Sequence, residues 1–316
     1  MAKNFPDIWI GRVEKNLKNT DLAPWLDGVP EIGAETIMIG EGTDAEKCKI
    51  FLPTTDFEPQ VFINNTTYPL ALQEYDDDTI EIALDKYQTA QTSISDDAAL
   101  GSSYDVIDTA TKSHTSAINT NKYAKAIHAI APNTDSANTP VVTTTGENDG
   151  TGRRQLIRKD LVALKKKFDV LQVPMTERRL VLCPDHIADL LNIDQHFANQ
   201  YYNYSDGKIA KSFGFEIYEN VSNPYFSSYV PAAGQTPAVP ATKKSVGSVV
   251  GDGDFQASVA FYVPNIGKKT GLTKQYFSDA KTDTANQTNK LNYRHYFIAV
   301  PKRAQYIGAL ISGKVA

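Results

Sequence analysis

A chain of 316 residues is long enough for roughly two domains of ~150 residues each and for burial of most of its apolar surface. Its 32 Lys and Arg against 37 Asp and Glu leave a formal charge of -5, which argues against a protein whose main task is to grip nucleic acid by neutralising phosphates. Cys48 and Cys183 stand far apart without metal-type spacing, Met1-Ala2-Lys3-Asn4-Phe5-Pro6 lacks the apolar core of a signal peptide, and no run approaches the ~18 apolar residues of a membrane span, so the reading is a reducing cytosol and no membrane partner.

Pro6 suits the first turn of a helix, and Phe5, Trp9, Val13 and Leu17 follow at spacings of four, with Arg12, Glu14, Lys15 and Lys18 largely on other faces. This amphipathic arm packs either on its own body or on another copy, and it ends at Pro24-Trp25 and Gly28-Val29-Pro30. A strand is predicted over 47–53 and another over 79–87, where Ile80, Ile82 and Leu84 oppose Glu81, Ala83 and Asp85. The two bracket about 25 residues that contain Phe57, Val61, Phe62, Ile63, Tyr68 and Leu70. A two-stranded hairpin of that reach is marginal alone in water, so its aromatics need a partner, either another copy or the chain's own body. Pro53, Pro59 and Pro69 blunt its edges.

A polar connection through Ser95, Asp96 and Asp97 leads to Gly101-Ser102-Ser103, where the pattern turns helical. Ser102 with Asp105 three residues on suits a helix start, and Tyr104, Ile107, Ala110, Ala117, Ile118, Ala124 and Ile127 recur mostly at helical spacings until Pro132. Such a helix is about 40 Å long, a spine rather than an ordinary globular helix. Residues 131–152 read as a loop, and Ile157, Leu161, Leu164 and Phe168 form one face of a helix over 156–168. Lys165, Lys166 and Lys167 in its last turn complement the helix dipole, and this account is preferred to nucleic-acid binding.

Arg179 to Cys183 reads as a buried strand that stops at Pro184, which starts a helix through Leu191. Further strands are predicted at Phe215 and Ile217, entered through Gly214, and over 256–263, 291–300 and 305–311, with an irregular Pro-rich and Ala-rich stretch over 224–242. Strands that return late to a domain begun by helices imply an α+β layout with non-local pairing.

Little in the sequence points to chemistry. His114, His128, His186, His196 and His295 are scattered without zinc-motif spacing. Cys183 with His186 is the one candidate nucleophile and base, against the simpler reading of a buried cysteine that ends a strand. Gly251-Asp252-Gly253-Asp254 lacks the glutamate and spacing of a calcium loop and reads as a hairpin turn. No cofactor or metal is expected, and no catalytic residue is assigned.

The run Leu84-Asp85-Lys86-Tyr87, then Ile94-Ser95-Asp96-Asp97, then Ser103-Tyr104-Asp105, resembles the junction between extended loop and spine helix in tailed-phage major capsid proteins of the Hong Kong 97-type fold. Pro6-Asp7-Ile8-Trp9 resembles that family's N-terminal arm; the strand and Pro-initiated helix at 179–191, and the run Lys208 to Asn220, extend the likeness. The resemblance implies an α+β fold with an N-terminal arm (1–45), an extended loop (46–90), a peripheral domain with the spine helix (91–184), an axial domain (185–285) and C-terminal strands that return to the peripheral domain (286–316). It implies a subunit that self-assembles into pentamers and hexamers of an icosahedral head. That head encloses double-stranded DNA without sequence-specific binding, is made in the bacterial host cytoplasm, and has portal, scaffolding or decoration proteins as further partners. Trp9, Val13, Leu17, Trp25, Phe57, Val61, Phe62 and Tyr68 are the expected contacts between subunits. An encapsulin-type shell around an enzyme cargo is the second reading, and an enzyme that uses Cys183 and His186 the third.

Overall fold

The computed structural model describes residues 23–33, 37–39, 47–54, 59–66, 68–70, 72–74, 78–96, 106–193, 197, 209–227, 241–283 and 285–315. Among them are three α-helices: α1 (Val106–Ile130), α2 (Arg158–Val170) and α3 (Pro184–Ile193). Arg178–Leu182, Ser258–Tyr262 and Ile307–Ile311 are buried with little alternation, the pattern of strands covered on both faces. They form the middle of a six-stranded sheet in the order 141–143, 307–311, 258–262, 178–182, 215–219, 209–212. The pairs 307–311 with 141–143 and 178–182 with 215–219 are parallel, and the rest antiparallel.

Because side chains alternate along a strand, the sheet supplies two cores at once. Leu180, Leu182, Phe215, Ile217, Ala260 and Leu310 meet Leu161, Leu164 and Phe168 of α2 and Ile187 and Leu190 of α3. Val181, Tyr218, Val259, Phe261, Ala309 and Ile311 meet Trp25 and the last turns of α1 at Ala126, Ile127 and Ile130. The first turn of α2 is closed by its own Asp160, whose carboxylate accepts from the Ile157 amide at 3.2 Å and from Thr145 Oγ1 at 2.7 Å.

A second sheet is built on two long strands, Ile266–Ser278 and Thr288–Pro301, paired antiparallel; 85–88 and 92–95 add to the far side of 288–301. Leu291 and Tyr293, with Ile94, carry the N-terminal half of α1 through Ile118. On the opposite face Tyr296 and Ile298 pack with Leu84, Ile50 and Ile32. The chain therefore does not run straight from 79 to 87, as the alternation suggests. It divides into 78–83, paired with 47–54, and 85–88, paired with 288–301, and buried Leu84 is the pivot between two sheets. Ile80, expected on a buried face, is 40% exposed, because the hairpin has left the body by that point. Residues 37–39 add a third strand to the hairpin base.

Two further differences from the sequence reading concern strands. Residues 266–278 were not predicted, because Gly267, Lys268, Lys269, Gly271 and Lys274 weaken the apolar signal of a strand with one open face. The connection through Ser95 proves to be in part a strand, 92–95, held by 288–291. Both sheets also cross the expected domain boundaries. Strands 178–182 and 215–219 pair across 184/185, strands 266–278 and 288–301 pair across 285/286, and 307–311 joins the six-stranded sheet. The start of the spine helix at Ser102 to Asp105 and most of the 224–242 stretch lie outside the described residues.

Gly271 sits where 266–278 slips register under Leu84, and a Cβ there stands 2.8 Å from Tyr296 Cβ and 3.0 Å from Leu84 Cδ2. Gly271→Ala is therefore expected to lower stability by about 1–3 kcal/mol through overpacking at the pivot, read as a shifted denaturation midpoint at unchanged slope.

Candidate assembly surfaces

The hairpin of 47–54 and 78–83 carries a long connection whose two limbs are tied where the Gln60 amide donates to Gln73 Oε1 at 2.8 Å. Apolar side chains crowd this connection, yet Val61 is 80% exposed, Ile63 85% and Leu72 91%, and Phe62, Tyr68 and Leu70 are exposed with them. Single exposed apolar residues need no explanation, but six along one connection form a patch of the kind that marks a binding surface. Of the expected contacts between subunits, Val61, Phe62 and Tyr68 thus come together on one projection. Trp9, Val13, Leu17 and Phe57 lie outside the described residues.

Trp25 takes a different place. It is fully buried and packs edge to face on Phe261 with centroids 6.5 Å apart, so it belongs to its own subunit's core and is not a surface contact. Arg179 holds the turn around it by donating to the carbonyls of Trp25 at 2.8 Å and Asp27 at 2.5 Å. The Pro24-Trp25 break in the sequence marks the segment, but a proline beside an aromatic does not say which body the ring enters.

Helix α1 has 25 residues and is about 38 Å long. Part of its seat is polar, since Thr111, Thr115, Asn119 and Lys122 are buried at spacings of four, four and three. Thr111 Oγ1 and the Tyr293 hydroxyl are hydrogen-bonded at 3.2 Å, and the Lys122 amine lies over the rings of Tyr123 at 4.6 Å and Phe297 at 5.0 Å. Burial brings the Lys122 ammonium down to about 8. Burial, then the charge of Lys122, brings His295 down to about 4, and its Nδ1 is 3.0 Å from Thr273 Oγ1. The far end of α1 is closed by Lys243, whose amine donates to the carbonyls of His128 at 2.8 Å and Ala131 at 2.7 Å.

Cys183 and His186 are near each other but are not arranged as nucleophile and base. Burial pushes the thiol up to about 11, and both ring nitrogens of His186 are engaged, Nδ1 with Ser258 Oγ at 2.7 Å and Nε2 with Ser312 Oγ at 2.9 Å. Beside them Arg153 grips Asp189 in bidentate fashion at 2.7 and 2.8 Å. This is a cross-brace that ties α3, strand 258–262, the chain end and the 144–156 loop. Lys165 pairs with Asp169 at 2.7 Å and Lys167 donates to the Val141 carbonyl at 3.1 Å, so two of the three lysines serve their own subunit. Asp254 is occupied by the Gly251 amide and by Lys244, as suits a turn. Among the described residues no group of three His, Cys, Asp or Glu side chains could hold a metal, and no helix is long and apolar enough to cross a membrane.

A family model described as "Phage capsid protein" matches residues 76–311. No curated protein matches significantly. Among solved structures, the capsid of Ralstonia phage GP4 aligns with a TM-score of 0.60 at 9% identity, over 89% of this chain and 86% of that one. The capsid of cyanophage P-SCSP1u aligns at 0.54 and 14% identity, over 92% and 91%. A virus-like particle from Pyrococcus furiosus aligns at 0.52 and 8%, over 97% and 99%. At such identities the likeness is one of fold, of the Hong Kong 97 type.

Two buried histidines, His295 under α1 and His186 on α3, have a pH consequence. His186 and His295 are lowered to about 3 and about 4, mainly by burial, so between pH 6.5 and 4 the unfolded chain binds more protons than the folded one. Stability is therefore present above pH 6.5 and is lost as pH falls through that window. His295→Gln should flatten the loss by up to about 1.4 kcal/mol per pH unit near pH 5, measured as denaturant midpoints between pH 4 and 7.

Proposed function

Because the chain belongs to the phage capsid protein family, we propose that it is the repeating wall of a phage head, assembled as pentamers and hexamers into an icosahedral shell around double-stranded DNA. Its place is the capsid of the virion, and assembly takes place in the host cytoplasm. Portal, scaffolding or decoration proteins complete the particle, and the packaged DNA is held without sequence-specific contacts. The family is structural, and the cross-braced setting of Cys183 and His186 supports a chain without an activity of its own. A shell around an enzyme cargo is not favoured, since the matching family model is that of phage capsid proteins.

The observation that carries this reading is the uncovered projection over 59–74. Among the described residues its apolar side chains find no cover on their own subunit, and a second copy covers them without any further partner. Contact of this head-to-tail kind closes into rings, and many modest contacts per particle give a stable shell whose assembly errors can still anneal. The N-terminal arm, with Trp9, Val13 and Leu17, adds a second reach to a neighbour. Within each subunit we read α1 with the long-strand sheet as the peripheral body, where α1 bears the strain of expansion. The six-stranded sheet is the axial body at the ring centre.

Replacement of Val61, Phe62 and Ile63 together by Ser tests the assignment. The subunit should melt within about 0.5 kcal/mol of the parent, as exposed substitutions do, while shells disappear from electron micrographs and sedimentation profiles. Normal shells from this variant would count against the reading.

A further inference from the structure

Helix α1 lies on the long-strand sheet over a seam whose polar groups are incompletely matched. Lys122 is 4% exposed, its amine lies over the rings of Tyr123 and Phe297, and among the described residues it has no ion pair. His295 stacks on the same Phe297 ring with centroids 6.4 Å apart, and its Nε2 is buried without a partner. Both polar side-chain atoms of Gln275, which shares its face of strand 266–278 with Thr273, are also buried and unpartnered. Folded interiors leave few such groups, so three in one seam call for an explanation. The helix above them is pliable. Side chains of Ser113, Thr115, Thr120 and Asn121 donate to carbonyls four residues back at 3.0, 2.9, 3.0 and 2.9 Å, bonds that compete with helical geometry and bend it.

The other charged and titratable groups of the seam leave Lys122 uncompensated. On α1, Lys125 is paired with Asp85 of 85–88 at 2.6 Å, and His114 packs on the Tyr293 ring with centroids 5.5 Å apart. Burial raises the phenols of Tyr87, Tyr123 and Tyr293, helped by Asp85 at Tyr87 and by Asp27 at Tyr123, so all three stay neutral in acid. Arg294 stacks with Tyr276 on the opposite face of the sheet. A proton on His295 therefore sets a second buried cation beside Lys122 with no anion to offset either. We propose that this seam is a proton-operated release: a charge on His295, added to that on Lys122, lifts the middle of α1 off the long-strand sheet into water, while the end capped by Lys243 stays in the core. The sign follows from burial, which lowers both bases while the helix is seated. The lifted form binds the extra proton, so acid favours it between pH 6.5 and about 4. The release belongs to the subunit alone and holds whether or not copies assemble.

Amide exchange of the full chain between pH 4 and 7, followed by mass spectrometry and corrected for intrinsic rates, tests the release, with thermal melts to establish that each variant folds. Protection over 112–122 should fall about tenfold per pH unit below 6.5. At each pH it should stay below that of strand 178–182 and of the capped end of α1 at 126–130, as local opening requires. His295→Gln should abolish the fall, and His114→Gln should leave it in place. Lys122→Met should raise protection over 112–122 about tenfold or more, and should end the fall at a higher pH, because His295 no longer titrates against a neighbouring charge. Gln275→Leu, which removes unpartnered polar atoms but no charge, should raise protection with the slope unchanged. Equal protection of 112–122 and 178–182 at every pH would overturn the proposal, since α1 would then leave only as the whole subunit unfolds. So would a fall that persists in His295→Gln or vanishes in His114→Gln, or a Lys122→Met chain protected no better than the parent.

Discussion

Strand 288–301 is the constraint to which the rest of the subunit conforms. Along its first half alternate residues are buried, as one covered face requires, and from His295 to Ala299 every residue is buried. The change marks where Leu84 and the hairpin base come down on the face opposite α1. One strand thereby fixes the position of the spine helix, the angle at which the hairpin leaves the body, and the register of 266–278. A defect at the pivot, as at Gly271, would propagate to all three.

The two bodies of the subunit are held by different physics. In the six-stranded sheet both faces are apolar, and beside α3 Arg153, Asp189, His186, Ser258 and Ser312 form a satisfied polar network. Such a network rigidifies when every member is paired. Under α1 the contact is mixed, with Lys122 buried against aromatic rings and His295 Nε2 buried without a hydrogen-bond partner. Buried charge of this kind adds less adhesion than apolar packing of equal size. The long helix is thus fastened firmly at its Lys243 end, where its last carbonyls are capped, and more weakly along its middle.

Assembly draws on surface that folding leaves unsatisfied. Val61, Phe62, Ile63, Tyr68, Leu70 and Leu72 of the projecting loop keep their apolar side chains in water. Side chains left in water add little to the stability of the isolated subunit. In the proposed assembly they gain their value only when copies meet, which separates the residues that fold the chain from those that join it to its neighbours.

By itself the sequence determined the elements whose signal is local. The spine helix, α2 with Ile157, Leu161, Leu164 and Phe168, the Pro184 helix start, and strands 178–182, 258–262, 288–301 and 307–311 follow from periodicity, proline placement and apolar runs. The projecting loop was also legible, as too many aromatics on too small a hairpin. Only the tertiary structure decided matters that depend on what lies across the sheet. It turned the chain between sheets at Leu84, made a strand of the Lys-rich stretch 266–278, put Trp25 into the core, and gathered His186 with Ser258 and Ser312 from distant positions. The physical reason is the same in each case. Periodicity records whether a side chain is buried, whereas its covering partner is set by hydrogen-bonded pairing between strands that lie tens to hundreds of residues apart.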